Sequence, residues 1–131
     1  MTRRGSSFGF FGLFGRSEDL WALDAALRAA DLHPALVPEG VKLAAVNRMK
    51  DDHGGAYPPS TAFAPVGQLM AYLALGEDSL SDHDAVSRRI ETALGEPSSP
   101  AAALDVDIIL LMLHAKLARA DVVERFGLEI V

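Results

Sequence analysis

Pro100-Ala-Ala-Ala-Leu-Asp-Val-Asp-Ile-Ile-Leu-Leu-Met-Leu-His-Ala-Lys-Leu-Ala118 is the stretch that decides the fold. Ser99 precedes it as an N-cap whose hydroxyl can accept from the free amides of a first turn. Pro100 suits the first helical position, where a missing N–H leaves no bond unmade. Leu104, Ile108, Leu111, Met112 and Ala115 recur at helical spacing on one face. Ile109, Leu110, Leu113 and Leu117 cover much of the remainder. A helix that is apolar nearly all round has to be surrounded by others. The expectation is therefore an all-α compact bundle of about five or six helices, with this segment, about residues 100–118, at its centre.

The same reading extends in both directions. Asp121 with Glu124 reads as a capping box opening a short helix that Gly127 ends. Leu128, Ile130 and Val131 form an apolar C-terminal end that should dock. Upstream, Ser81 reads as an N-cap with Asp84 three residues on. Val86, Ile90, Ala93 and Leu94 face inward on that helix, and Gly95 follows its last turn. Val66, Leu69, Met70 and Leu73 fall at i, i+3, i+4 and i+7, a clear amphipathic signature for a helix starting near Ala64 and closed by Gly76. Pro38 opens a helix to about Lys50, with Val41, Ala44, Ala45 and Met49 on its buried side. Leu20, Leu23 and Leu27 mark another, from Ser17 as cap to about Asp31, stopped ahead of Pro34. Trp21 lies on its flank. No long run alternates with period two and no βαβ rhythm appears.

The 131 residues suffice for one domain with a real core, and half of them are hydrophobic. The division is an irregular Phe/Gly-rich tail at 1–16 and a single helical domain at 17–131. There is no cysteine. That removes disulfides, thiolate ligands and cysteine nucleophiles together, and fits a reducing, cytoplasmic compartment. The net charge of −6 is uneven: residues 1–16 carry +3 through Arg3, Arg4 and Arg16, and the remainder carries −9. An acidic body repels phosphate backbones, so nucleic acid is not an expected partner. No apolar run reaches the roughly 20 residues that cross a bilayer. The apolar stretch after Arg3-Arg4 is short, broken by glycine and followed by no small-residue cleavage pattern, so export is not expected.

Two clusters offer metal-ligand chemistry. Asp51-Asp52-His53 opens the long connection to Ser60, and Asp82-His83-Asp84 stands at a helix start. Carboxylate oxygen and imidazole nitrogen suit zinc, iron or manganese. Neighbouring helical residues point different ways, so a site has to combine His53 and Asp52 with His83 and Asp82. The simpler reading has the aspartates complementing the helix dipole and both histidines solvated. His114 reads as a hydrogen-bonded core histidine or one at the helix flank near Lys116. Asp105 and Asp107 are two apart and face different sides, which rules out an acid/base pair between them. They read as early-turn acids, one of which could pair with Arg88 or Arg89. Tyr57 reads as an amphipathic ring pinning its loop to the core. Nucleophile elbows, zinc-protease histidine pairs and phosphate loops are all missing. No catalytic residue and no cofactor are expected.

The remaining feature is Phe8, Phe10, Phe11, Leu13 and Phe14, interleaved with Gly9, Gly12 and Gly15. Burying one phenylalanine contributes roughly 1.5–3 kcal/mol. Ordering each residue of a glycine-rich segment costs about 1–2 kcal/mol. The terms are comparable. Docking on its own domain or a second subunit, contact with a protein partner, insertion into an anionic membrane surface, and a leader without a role all stay open. The reading of function is a non-catalytic helical protein that acts through protein–protein interaction or self-association. The alternative is a metal-dependent enzyme or ligand-binding module on His53 and His83. A third reading is a peripheral membrane protein anchored by the tail.

Overall fold

Six α-helices follow one another: α1 (Glu18–Ala29), α2 (Glu39–Asp52), α3 (Phe63–Leu75), α4 (His83–Gly95), α5 (Pro100–His114) and α6 (Ala120–Phe126). Single 3-10 turns at Pro34–Leu36, Ser60–Ala62 and Gly76–Asp78 link them. The computed structural model describes residues 18–79 and 83–128. Every regular element among these is helical, and the helices pack on one shared core, as the sequence pattern requires. The Phe/Gly-rich segment, the Ser17 and Ser81 caps, Asp82, Ile130 and Val131 lie outside the described residues.

α3 is the most enclosed helix. Its i, i+3, i+4, i+7 set, Val66, Leu69, Met70 and Leu73, is buried, and so are Phe63, Ala71 and Tyr72. It packs against α1, α4 and α5. Gly67 allows the closest of these contacts. A Cβ added there would stand 2.8 Å from the backbone carbon and the Cβ of Ala26 on α1. Glycine costs about 1 kcal/mol in a helix interior. Here it lets two helix backbones approach without an intervening side chain, which periodicity alone does not reveal. Gly76 closes α3 at φ 63°, a conformation glycine adopts without a Cβ penalty.

α5 has neighbours on three sides, α2, α3 and α4. Its buried residues are Ala102, Asp105, Ile108, Ile109, Met112 and Leu113. Leu104, Leu111 and Ala115, placed inward by the sequence reading, are only partly buried, and Leu110 is exposed. The Ser99 cap forms as expected, with the Ala102 amide donating to Ser99 Oγ at 3.1 Å. The helix stops at His114, short of residue 118. Lys116 takes a left-handed φ of 60°, and the Leu117 amide donates to the Met112 carbonyl at 2.9 Å. This bond pattern satisfies a free terminal carbonyl in the manner of a glycine closure, here without glycine.

Two further expectations are corrected. The inward side of α2 is Lys42, Ala45, Val46 and Met49: Ala45 and Met49 stand as expected, while Val41 and Ala44 are only partly buried and Lys42 and Val46 take the inner face. A lysine sits inside because its Nζ lies 3.1 Å from Asp24 Oδ1 of α1 and 3.3 Å from the Pro34 carbonyl oxygen. A buried ammonium persists only when paired and hydrogen-bonded in this way. The capping box at Asp121 and Glu124 does not form. Arg119 occupies the N-cap of α6, and Asp121 instead accepts from the Val122 amide and from Arg119. Gly127 ends α6 in the left-handed region, as expected.

Candidate docking groove

The described members of the histidine and acid clusters lie at or near the surface. Asp51 and Asp52 belong to the last turn of α2, and His53 is its exposed C-cap. Asp52 Oδ1 lies 3.8 Å from Arg48 Nη1. His83 opens α4, with Nδ1 3.6 Å from Asp84 Oδ1. Among the described residues, no three His, Asp or Glu side chains gather where one metal ion could be held. His114 is exposed at the end of α5, the flank position rather than the core one.

Asp105 and Asp107 lie in the second turn of α5, so the early-turn explanation for them fails; both are tied to other helices. Arg89 of α4 grips Asp105 through Nε and Nη2 at 2.8 and 2.7 Å, and its Nη1 donates to the Pro65 carbonyl at 2.8 Å. One guanidinium thereby joins α3, α4 and α5 in the fork geometry that suits arginine. Asp107 accepts from Arg48 of α2, and this bond holds the Arg48 guanidinium above its ordinary pKa.

Tyr57 is half exposed and meets Phe63 edge-on at 6.3 Å, so the ring does touch the core it was expected to pin. Partial desolvation, reinforced by the carboxylates of Glu18 and Asp19, raises its phenol above the usual range. The ring lines an open cleft of about 290 Å³ with Glu18, Asp19, Lys50 and Gly55. Asp19 and Lys50 already pair there at 2.8 Å, which leaves Glu18 as the one lining charge outside that pair.

A different surface has no such internal partners. Leu94 of α4, Val106, Ile109, Leu110 and Leu113 of α5, and Phe126 and Leu128 at the end of α6 line a groove of about 340 Å³. Among the described residues its lining carries no charged side chain. Leu94 is 40% exposed and Leu110 39%. The sequence reading set Leu94 inward; the structure sets it at the groove, because α4 buries Val86, Ile90 and Ala93 and leaves the next position outside.

Polar ties hold the groove walls. The Arg89–Asp105 fork fixes α4 against α5. The Arg119 amide donates to the Leu73 carbonyl at 2.8 Å, and its guanidinium reaches the Leu75 carbonyl at 2.8 Å and Asp78 at 2.6 Å. The end of α3 and the start of α6 are thereby stapled together. Arg125 donates to Tyr72 Oη at 3.1 Å and pairs with Glu77 at 3.0 Å. Phe126 meets Tyr72 edge-on at 6.3 Å, with the Arg125 guanidinium 5.3 Å from its ring centre. This groove-lining phenylalanine thus has both a ring and a guanidinium against it. The sequence carried a trace of this surface in the all-round apolarity of α5, which was read as a sign of enclosure.

Comparisons with protein-family models, with curated proteins and with solved structures find no match for this chain. Function therefore has to be argued from the surface itself. Among the described residues no helix is long and apolar enough to cross a membrane.

Proposed function

We propose that this protein is a non-catalytic docking module that associates with polypeptide, including copies of itself, through the groove between α4, α5 and α6. The observation that carries this reading is the uncharged lining of that groove, with Leu94 and Leu110 left exposed on walls that are otherwise tightly braced. Exposed apolar surface rimmed by polar residues marks protein-interaction sites and ligand grooves. Covering both leucines recovers part of the roughly 1.5–3 kcal/mol that full burial of such a side chain contributes.

Two measurements on the full chain test it. Light scattering over a range of concentrations should show mass above the monomer, and Leu110→Asp should return it to monomer. Cross-linking in the native cell should give polypeptide neighbours that disappear with the same substitution. A wild-type monomer at every concentration, with neighbours unchanged by Leu110→Asp, would refute the proposal.

A further inference from the structure

We infer that the segment Phe8–Phe14 of this chain is a polypeptide that the α4/α5/α6 groove takes. The inference rests on the docking reading and names the occupant.

Three observations converge. The first is chemical. The segment presents Phe8, Phe10, Phe11, Leu13 and Phe14, and the side chains lining the groove are aliphatic apart from one aromatic ring, with the Gly127 backbone beside them. The intervening Gly9 and Gly12 bring backbone close to a wall where bulkier residues would hold it off. The second is charge. Residues 1–16 carry +3 and the rest of the chain −9. Exposed Glu91 and Glu96 flank Leu94 along α4 and its exit, and exposed Glu124 lies one turn before Leu128. Arg3, Arg4 and Arg16 bracket the phenylalanines, so their cations can meet Glu91, Glu96 and Glu124 while the rings meet the lining; Arg125, 5.3 Å from the Phe126 ring centre, is a cation on the same border. The same body charge disfavours pairing one groove face to face with another copy's.

The third is reach. The described body begins at Glu18, and Asp19 pairs with Lys50 of α2 at 2.8 Å. Two residues earlier on α2, Arg48 binds Asp107, the chain neighbour of groove-lining Val106. α2, which the root of the segment abuts, thus also meets α5. Phe14 and Phe8 precede Glu18 by four and ten residues. Extended chain spans up to about 3.3–3.6 Å per residue, so Phe14 reaches about 14 Å from Glu18 and Phe8 about 35 Å.

Because the chain has no cysteine, pairs of them can be introduced into the full chain without interference. Gly12→Cys is combined with Leu110→Cys, and separately with Leu94→Cys as a second groove position. The control combines Gly12→Cys with Gly40→Cys on α2, where a side chain meets open space. Under mild oxidation the groove pairs should close at least about tenfold faster than the control, as a docked segment has a high effective concentration. A disulfide within one chain and one between two copies both seat the segment in the groove, and the mass tells which copy supplies it. Equal rates in groove and control pairs overturn the inference. So does Leu110→Cys alone linking two copies as fast as the groove pairs close, because the occupant is then a second groove. If the rates are equal while Leu110→Asp still abolishes association, the occupant is wrong and the docking reading survives. If the groove pairs close fast within one chain while Leu110→Asp leaves association unchanged, the segment fills its own groove and copies associate through another surface.

Discussion

α3 and α5 are the two most apolar helices of the bundle, yet the structure uses them differently. α3 buries eight of its thirteen residues and carries no charge. α5 buries six of fifteen, places the charged Asp105 inside and leaves Leu110 outside. Apolar character all round a helix thus admits two outcomes. One is enclosure by neighbours on every side. The other is enclosure on some sides and a surplus apolar face on the rest. The second outcome leaves surface with no fold-level role, and on α5 that face lines the groove.

The comparison can be broken at three points. The largest effect is expected at Leu69, which has no exposure in α3. Leu69→Ala should cost about 2–5 kcal/mol of unfolding free energy, from lost transfer energy and a residual cavity. Denaturant unfolding measures this, and a loss below about 1 kcal/mol would deny α3 its enclosed role. Next comes Gly67. Its added methyl would press on the Ala26 backbone at 2.8 Å. Gly67→Ala should therefore destabilise by about 1–3 kcal/mol, although alanine is the better helix former. A raised melting temperature for this variant would mean that α1 and α3 can separate freely. The smallest effect is expected at Leu110. Leu110→Ala should change stability by no more than about 0.5 kcal/mol while weakening association. A stability loss as large as that of Leu69→Ala would show that the outer face of α5 serves the fold and not a partner.

Most of the helical framework was legible in the sequence, because its signals are local. Pro100 after Ser99, Gly76 and Gly127 each act within one turn of chain, and their placement stands. The amphipathic set from Val66 to Leu73 was legible for the same reason. Faces were harder. Leu94 and Leu110 fit an inward pattern as well as an outward one, since the pattern records only which side of a helix is apolar. Lys42 was missed because a lysine goes inside only if an acid waits there, and Asp24 is eighteen residues away in sequence. The roles of Arg119 and Arg125 escaped notice for the same reason, since each binds groups on other elements; Arg89 is one of the two arginines the sequence offers to an α5 aspartate, and it takes Asp105. The groove combines side chains from three helices, so no single segment announces it.

The sequence by itself determined that this is a helical bundle, several of its helix ends, and that an acidic body is joined to a cationic, phenylalanine-rich segment. Those properties follow from backbone propensity, caps and summed charge, which need no neighbours in space. Tertiary structure alone decided which apolar helix is enclosed, which acids are matched by arginines, and which leucines stay outside. Burial and ion pairing depend on how many neighbours a face acquires, and six helices meeting at fixed distances supply α3 with more of them than α5.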